Sequence, residues 1–219
     1  MIVPYYKSSD RNFTLIKGDC IELLNSFEFK FDMIFADPPY HLSNGGISVH
    51  SGKMVCVNKG DWDKSYGHET DYLFDKEWLS ACRDKLKDSG TIWISGTYHN
   101  LFSIARCLTE LGFKILNCIT WVKKNPPPNL SCRYFTHSAE YVLWARKDAK
   151  TPHYFNYELM KEINGGTQMR DVWILPSIAQ WEKSCGKHPT QKPLCLLARI
   201  IQASTQKGDW ILDPFAGSS

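Results

Sequence analysis

No stretch of this 219-residue chain is apolar for long enough to span a membrane, and the opening MIVPYYKSSDRN lacks the basic-then-apolar layout of a secretion signal. The expectation is a cytoplasmic protein with no membrane partner. Cysteines at metal or redox spacing are also missing. The eight cysteines (Cys20, Cys56, Cys82, Cys107, Cys118, Cys132, Cys185, Cys195) include no C-x-x-C pair, and several sit inside apolar runs. They are expected as small reduced core residues, not as a disulfide framework or a zinc site. His188 has no second His or Cys at ligand spacing, so no metal is expected there. Charge of one sign is scarce as well: 26 Lys and Arg against 23 Asp and Glu leave +3, which permits a polyanionic partner without demanding one. Repeats and low-complexity tracts are absent.

What is present is an ordinary globular composition, 43% hydrophobic and 22% charged, in a chain long enough for one substantial domain over residues 1–219. Short β-rich apolar runs alternate with amphipathic stretches. The strand candidates are FTLI (13–16), MIFA (33–36), TIWIS (91–95), KILNCITWV (114–122), EYVLWA (140–145) and DWILD (209–213). The helix candidates are CIELLNS, DKEWLSACRDKLKD, YHNLFSIARCLTELG and PLCLLARIIQAST, the third closed by Gly112 and the fourth opened by Pro193. Continuous hydrophobicity in the strands implies cover on both faces. That predicts an α/β fold, a doubly wound, mostly parallel sheet. Two stretches break the rhythm: residues 41–72, long for a connection, and residues 123–186, interrupted by NPPPN and NGG.

The run FDMIFADPPYHLSNGG (31–46) drives an apolar strand into a carboxylate, two prolines and a ring. In open α/β sheets ligands bind beyond the carboxyl ends of the strands, so Asp37 is expected on the floor of a cleft. Pro38 and Pro39 stop the strand and fix the following carbonyls. Asp37 and the Pro38 carbonyl can accept the two hydrogens of an exocyclic amine, and the Tyr40 ring offers a face to stack. An amine held that way has its lone pair turned toward an electrophile. The bland reading of the same residues is a strand that ends in a turn.

DPPY resembles the catalytic motif of amino-group DNA methyltransferases, DWILDPFAGSS resembles their S-adenosylmethionine loop, and GKHPTQKPLCLLARII resembles the motif that precedes it. Catalytic motif first and cofactor loop last is the order of the permuted β class, and the resemblance to small bacterial adenine-N6 methyltransferases of GATC restriction systems runs over essentially the whole chain. It implies a Rossmann-like methyltransferase fold with an antiparallel hairpin. It also implies Asp37, Pro38, Pro39 and Tyr40 as catalytic residues. Asp37, Asp213, Phe215 and Gly217 would line S-adenosylmethionine, with Pro189, Thr190, Gln191 and Lys192 near its methionine end. A looser match of KGDCIELL adds Asp19 and Cys20 near the cofactor adenine; the alternative is that Asp19 merely caps a helix. Relatives that act on cytosine N4 commonly carry Ser in place of the Asp, so Asp37 favours adenine. Such a base must be flipped from a duplex or met in a single strand.

Basic and aromatic residues interleave in 123–186, which is read as the target-recognition segment with Lys123, Lys124, Arg133 and Tyr134 as DNA contacts, and 41–72 as a mobile loop closing over DNA or the flipped base. A solvated surface with ordinary core aromatics is the competing account. The chain stops at Ser219, where the family continues through a helix and a strand with an acidic residue for the ribose. The expectation is therefore a C-terminally truncated fold with weakened cofactor binding and a sheet face for a partner subunit, such as a second copy. A cognate restriction endonuclease is a further expected partner. Cytosine-N4 methylation, RNA or protein amino-methylation, and an inactive DNA-binding remnant stay open as alternatives.

Overall fold

Strands that are apolar on both sides need two layers of cover, and the chain supplies them. The computed structural model describes residues 3–217 apart from 44–46, 51–52, 57–59, 61–62, 125, 127, 130 and 184–190, and of 47–50 and 53–56 the backbone alone. In chain order, β1 (Tyr6–Lys7) pairs antiparallel with β2 (Thr14–Leu15) as a small ladder of its own. Then come α1 (Cys20–Ser26), β3 (Phe31–Ala36) and an antiparallel hairpin of β4 (Ile47–His50) with β5 (Lys53–Cys56). They are followed by α2 (His68–Lys85), β6 (Leu86–Gly96), α3 (Leu101–Glu110), β7 (Lys114–Lys123) and β8 (Ala139–Arg146). The last elements are α4 (Tyr157–Ile163), β9 (Val172–Leu175), a 3₁₀ turn (Gln180–Lys183), α5 (Leu194–Ser204) and β10 (Ile211–Leu212).

The central sheet has the order β10-β3-β6-β8-β7-β9. Only β8 runs against the rest: β10–β3, β3–β6 and β7–β9 are parallel, and β6–β8 and β7–β8 antiparallel. The carboxyl ends of β10, β3, β6, β7 and β9 therefore open on one edge of the molecule. On one face Ile34, Ile92, Ile94, Leu143 and Ala145 pack against Leu24 of α1, Trp78 and Leu79 of α2 and Ile104 and Leu108 of α3. On the other, Met33, Phe35, Trp93, Val142 and Trp144 meet Met160 of α4 and Leu196, Ile200 and Ala203 of α5. Trp93 lies flat on Trp144 with ring centroids 4.7 Å apart, and its indole N–H donates to Ser204 Oγ at 2.9 Å. This pins α5 to the sheet. Among the described residues no helix is long and apolar enough to cross a membrane.

The mostly parallel α/β sheet agrees with the sequence reading; several boundaries do not. FTLI stands outside the central sheet as half of the two-residue β1–β2 ladder, with Tyr6 and Phe13 exposed. α2 starts well before Asp75 and stops at Lys85, because Leu86 already pairs with Phe31 as the first residue of β6. The run LKDSG thus enters the sheet instead of finishing the helix. The stretch 41–72 carries the β4–β5 hairpin and the first turn of α2. Gly112 does close α3, at a φ of 78°, whereas Pro193 is the cap of α5 and not its first helical residue.

Candidate active site

Ala36 is fully buried at the end of β3, and the chain leaves the sheet at Asp37. Pro38 and Pro39 carry no N–H and hold φ near −65°, so neither can extend the ladder. No described residue donates to the Pro38 carbonyl, while the Pro39 carbonyl faces the Asn100 amide at 3.5 Å. Asn100 also accepts from Thr97 N–H at 2.9 Å and lies so close to Gly96 that a Cβ there would stand 2.8 Å from its Oδ1. A side chain at position 96 would therefore push the buried Asn100 off its bond to Thr97.

Tyr40 folds back under the carboxylate. Its hydroxyl donates to Asp37 Oδ1 at 2.6 Å and shares a 2.8 Å bond with Ser95 Oγ. A phenol has one proton to give, so Ser95 is left as the donor in the second bond. Burial, and secondly the charge of Asp37, push the Tyr40 hydroxyl well above the usual phenol range, so it stays a donor. From the far side of the sequence, Lys192 brings its ammonium to Asp37 Oδ2 at 2.7 Å and stands 5.1 Å from the centre of the Tyr40 ring. The expectation of an open Tyr40 face is corrected by this: Tyr40 is 5% exposed, its ring held under Lys192 and its hydroxyl committed to Asp37 and Ser95.

Asp63 secures the turn that follows. Fully buried, its carboxylate accepts from the Tyr40 N–H at 2.8 Å, the Leu42 N–H at 3.2 Å and the Ser43 hydroxyl at 2.9 Å. These bonds straddle His41, whose φ of 56° lies in the left-handed region that a side chain enters at a cost. Neither Asp63 nor Ser95 stands out in the sequence; GDWDK carries no spacing that marks its second aspartate, and Ser95 reads as one more strand residue.

The second carboxylate comes from the neighbouring strand. β10 pairs in parallel with β3, Leu212 opposite Ile34, and delivers Asp213 to the same edge as Asp37. Asp213 is open to solvent on one side; protein packed around the rest pushes its carboxyl up to about 6, with Asp37 adding to the rise and Lys192 opposing it. Its Oδ1 accepts the Phe215 N–H at 2.9 Å, Phe215 stands edge-on to Trp78 at 5.2 Å, and Gly217 turns the chain at a φ of 63°.

The remaining sequence candidates separate. Asp19 caps α1, accepting from Ile21 N–H at 2.9 Å and Glu22 N–H at 3.0 Å, which is the alternative open to it from the sequence. Cys20 is half-buried, its thiol pushed up to about 11 chiefly by burial, and it shares Cys82 as a neighbour with Asp213. Gln191 spends its amide on the Glu182 carbonyl at 2.8 Å, so Lys192 alone of that pair reaches Asp37. Pro189 and Thr190 lie outside the described residues. Lys123 is not the free phosphate contact that the sequence suggests: at the end of β7 it is half-buried, ion-paired with Glu140 and 5.2 Å from the Trp121 ring. Lys124, Arg133 and Tyr134 are exposed.

Comparison with known proteins gives a consistent set of likenesses. The N6/N4 methyltransferase family model, described as DNA methylase, matches residues 31–219. The chain is 57% identical to the type II methyltransferase M2.MboI of Moraxella bovis over 218 residues, 99% of this chain and 80% of that one. It is 54% identical to the type II methyltransferase M2.DpnII of Streptococcus pneumoniae over 220 residues, 100% and 81% of the two chains. Among solved structures it is similar to an M1.HpyAVI complex with S-adenosylmethionine, at TM-score 0.67 and 29% identity over 92% of this chain and 81% of that one. It is also similar in fold to the cytosine-N4-specific PvuII DNA methyltransferase, at TM-score 0.72 and 19% identity over 96% and 76%.

Two outcomes follow from the geometry. Asp63→Ala removes three bonds to one carboxylate and should cost about 2–4 kcal/mol in urea unfolding; amide exchange at Tyr40 and Leu42 should quicken beyond that of the β3 core, and unchanged exchange there would contradict the clamp. Asp213 rises from 3.8 to about 6, so between those values the native state holds a proton that the unfolded chain has lost. Stability should therefore fall as pH rises from roughly 4 to 6. Asp213→Asn should flatten that part of the profile, measured by urea midpoints across the window.

Proposed function

The chain belongs to the N6/N4 DNA methylase family and is, with it, a DNA methyltransferase; from that premise we propose that it transfers a methyl group from S-adenosylmethionine to the N6 amine of adenine at a defined DNA sequence. The observation that carries the reading is the rack at the end of β3. It joins a carboxylate fixed from both sides by Tyr40 and Lys192 to the neighbouring Pro38 carbonyl, which no described residue occupies.

A carboxylate offers about four acceptor positions, and Tyr40 and Lys192 use two. Capacity remains for one amine hydrogen at Asp37 and the other at the Pro38 carbonyl. Held by both hydrogens, the amine nitrogen loses conjugation with its ring and turns its lone pair outward. S-adenosylmethionine, when bound, supplies an electrophilic methyl on a cationic sulfur. As the nitrogen–carbon bond forms and the carbon–sulfur bond breaks, the amine is left with one proton too many, and that proton passes to water. The donor's positive charge suits an edge that carries both Asp37 and Asp213. Asp213, Phe215 and Gly217 would hold it on the turn after β10, with Cys20 on the same flank and Lys192 toward its carboxylate. Pro189 and Thr190 join them on the strength of the motif alone.

Asp in place of the Ser common among cytosine-N4 enzymes supports adenine as the target. Lys124, Arg133 and Tyr134, exposed in the connection between β7 and β8, support residues 123–186 as the segment that meets DNA, and the β4–β5 hairpin in 41–72 supports a base-proximal role for that stretch. The type II names of the relatives support a restriction-modification setting with a cognate endonuclease, and hence a cytoplasmic location beside the chromosome. Exposed Ile211 of β10, with Phe29 and Trp210 beside the strand, supports a homodimer or other subunit covering that edge.

Labelled-methyl transfer to duplex and single-stranded DNA, with the product base identified, tests the proposal. Adenine N6 should carry the label, and Asp37→Ala should lower turnover at least about a thousandfold while DNA affinity stays within about threefold; label on cytosine, or full turnover in that variant, would overturn it. Charge reversal of Lys124 and Arg133 should weaken binding across sequences and reduce the salt slope by roughly one for each phosphate that is no longer neutralised. Lys123→Glu should instead act through Glu140, and a salt slope that drops equally for Lys123 would restore it as a phosphate contact.

A further inference from the structure

Just past β6 and just before β8, a group of rings that the catalytic rack does not use comes together in the open. Tyr98 stacks on His137, with ring centroids 4.7 Å apart and planes 21° from parallel, and has His99 against it at 3.8 Å. Tyr134 approaches His137 at 5.5 Å. The rings are not core: Tyr98 is 43% exposed and Tyr134 61%, and both histidines are exposed too. They draw on two connections that the sheet holds side by side, since Gly96 at the end of β6 pairs with Tyr141 near the start of β8.

We infer that Tyr98 and His137 form a stacking platform for the nucleobase next to the target base. Three observations favour this occupant. The platform lies at the edge of the sheet where Asp37 and Asp213 emerge, and Tyr98 is three residues beyond Ser95, which bonds Tyr40 under the target site. Three residues of chain reach at most about 10 Å, and a single phosphodiester joins consecutive nucleotides, so a nucleotide adjacent to one held at Asp37 falls within range. Each ring carries a polar edge, which suits a base with its own polar rim better than an apolar protein surface does. Arg133, exposed beside Tyr134, is placed for the phosphate that must accompany such a base.

A base with its π-face on Tyr98 gains affinity whatever its identity, because every base has such a face. The platform would thus hold the strand against the site when the target base leaves its own stack, without adding sequence preference of its own.

The inference rests on the DNA-methylation reading, and the two can fail separately. Oligonucleotides with one target adenine are prepared intact, or with an abasic site immediately 5′ or 3′ of it. Their Kd for the full chain is measured by fluorescence anisotropy at fixed salt, for the native protein and for Tyr98→Leu, His137→Leu and Tyr98→Phe. Removing the base on one of the two sides should weaken the native protein about tenfold. The leucine variants should bind the intact strand about tenfold more weakly and lose less than about twofold more at the abasic strand, while Tyr98→Phe keeps native behaviour. A native protein indifferent to both abasic sites, or leucine variants as sensitive to them as the native protein, would overturn the platform. Labelled-methyl transfer to the intact strand by the native protein reports on the methylation reading independently of that outcome.

Discussion

One carboxylate, Asp37, is shared between a phenol hydroxyl and an ammonium group, and the arrangement of the carboxyl edge of the sheet depends on that sharing. Tyr40 reaches it from three residues downstream and Lys192 from 155 residues away. The interaction closes the loop after β3, sets the start of α5 against the carboxyl end of β3 and fixes which way the carboxylate faces. Its low exposure means that the charges have given up much of their water. Removing either neighbour would leave the other interaction unbalanced and would not simply delete one bond. The rest of the rack is built to prevent motion: Ser95 supports the phenol from β6, Asn100 faces the Pro39 carbonyl, and Asp63 grips the backbone around a left-handed His41. Rigidity of this kind suits a site that must orient an incoming amine and not adapt to it.

The parts legible in the sequence are those with a local physical cause. Uninterrupted apolar runs mark β3, the centre of β6, β7 and β8 as strands covered on both faces, and the break into Asp37-Pro38-Pro39 marks a strand ending at a cleft. Asp213 follows from the same logic on β10. What escapes is set by contacts between distant segments. β9 alternates buried and exposed residues at the sheet edge, and VWIL is too short to stand out beside NGG. The switch from α2 to β6 at Leu86 depends on pairing with Phe31, which no local propensity reveals. Asp63 and Ser95 act through Tyr40, at separations of 23 and 55 residues, and look like ordinary polar residues until the chain has folded. Lys123 misleads for the converse reason: basic residues near aromatic ones suggest phosphate contacts, but in the folded chain its ammonium has a nearer acidic partner in Glu140.

Charge along the carboxyl edge is graded instead of uniform. Asp37 is half-buried with Lys192 set against it, Asp213 beside it is open to solvent on one side, and the cations Lys124 and Arg133 are exposed on the connection between β7 and β8. An edge arranged this way attracts a polyanion at its rim and a cation at its centre. That is the combination a nucleic acid and a sulfonium donor require together, and it explains why a net charge of only +3 is no obstacle to DNA as substrate.

The distance between the two carboxylates follows from the sheet and needs no special device. β10 and β3 are adjacent and parallel, and their register places Asp213 beside Phe35, two residues short of Asp37. Neighbouring strands lie about 4.8 Å apart and two residues rise about 6.6 Å, so strand geometry continued to these two positions gives a Cα separation of about 8 Å. On the proposed reading, a base held at Asp37 and a donor held at Asp213 would stand side by side on adjacent strands. A register slip of a single residue between these strands would shift that gap by half its rise and turn every β10 side chain to the opposite face. The hydrophobic pattern that packs Leu212 against the core therefore also sets the spacing between the two carboxylates.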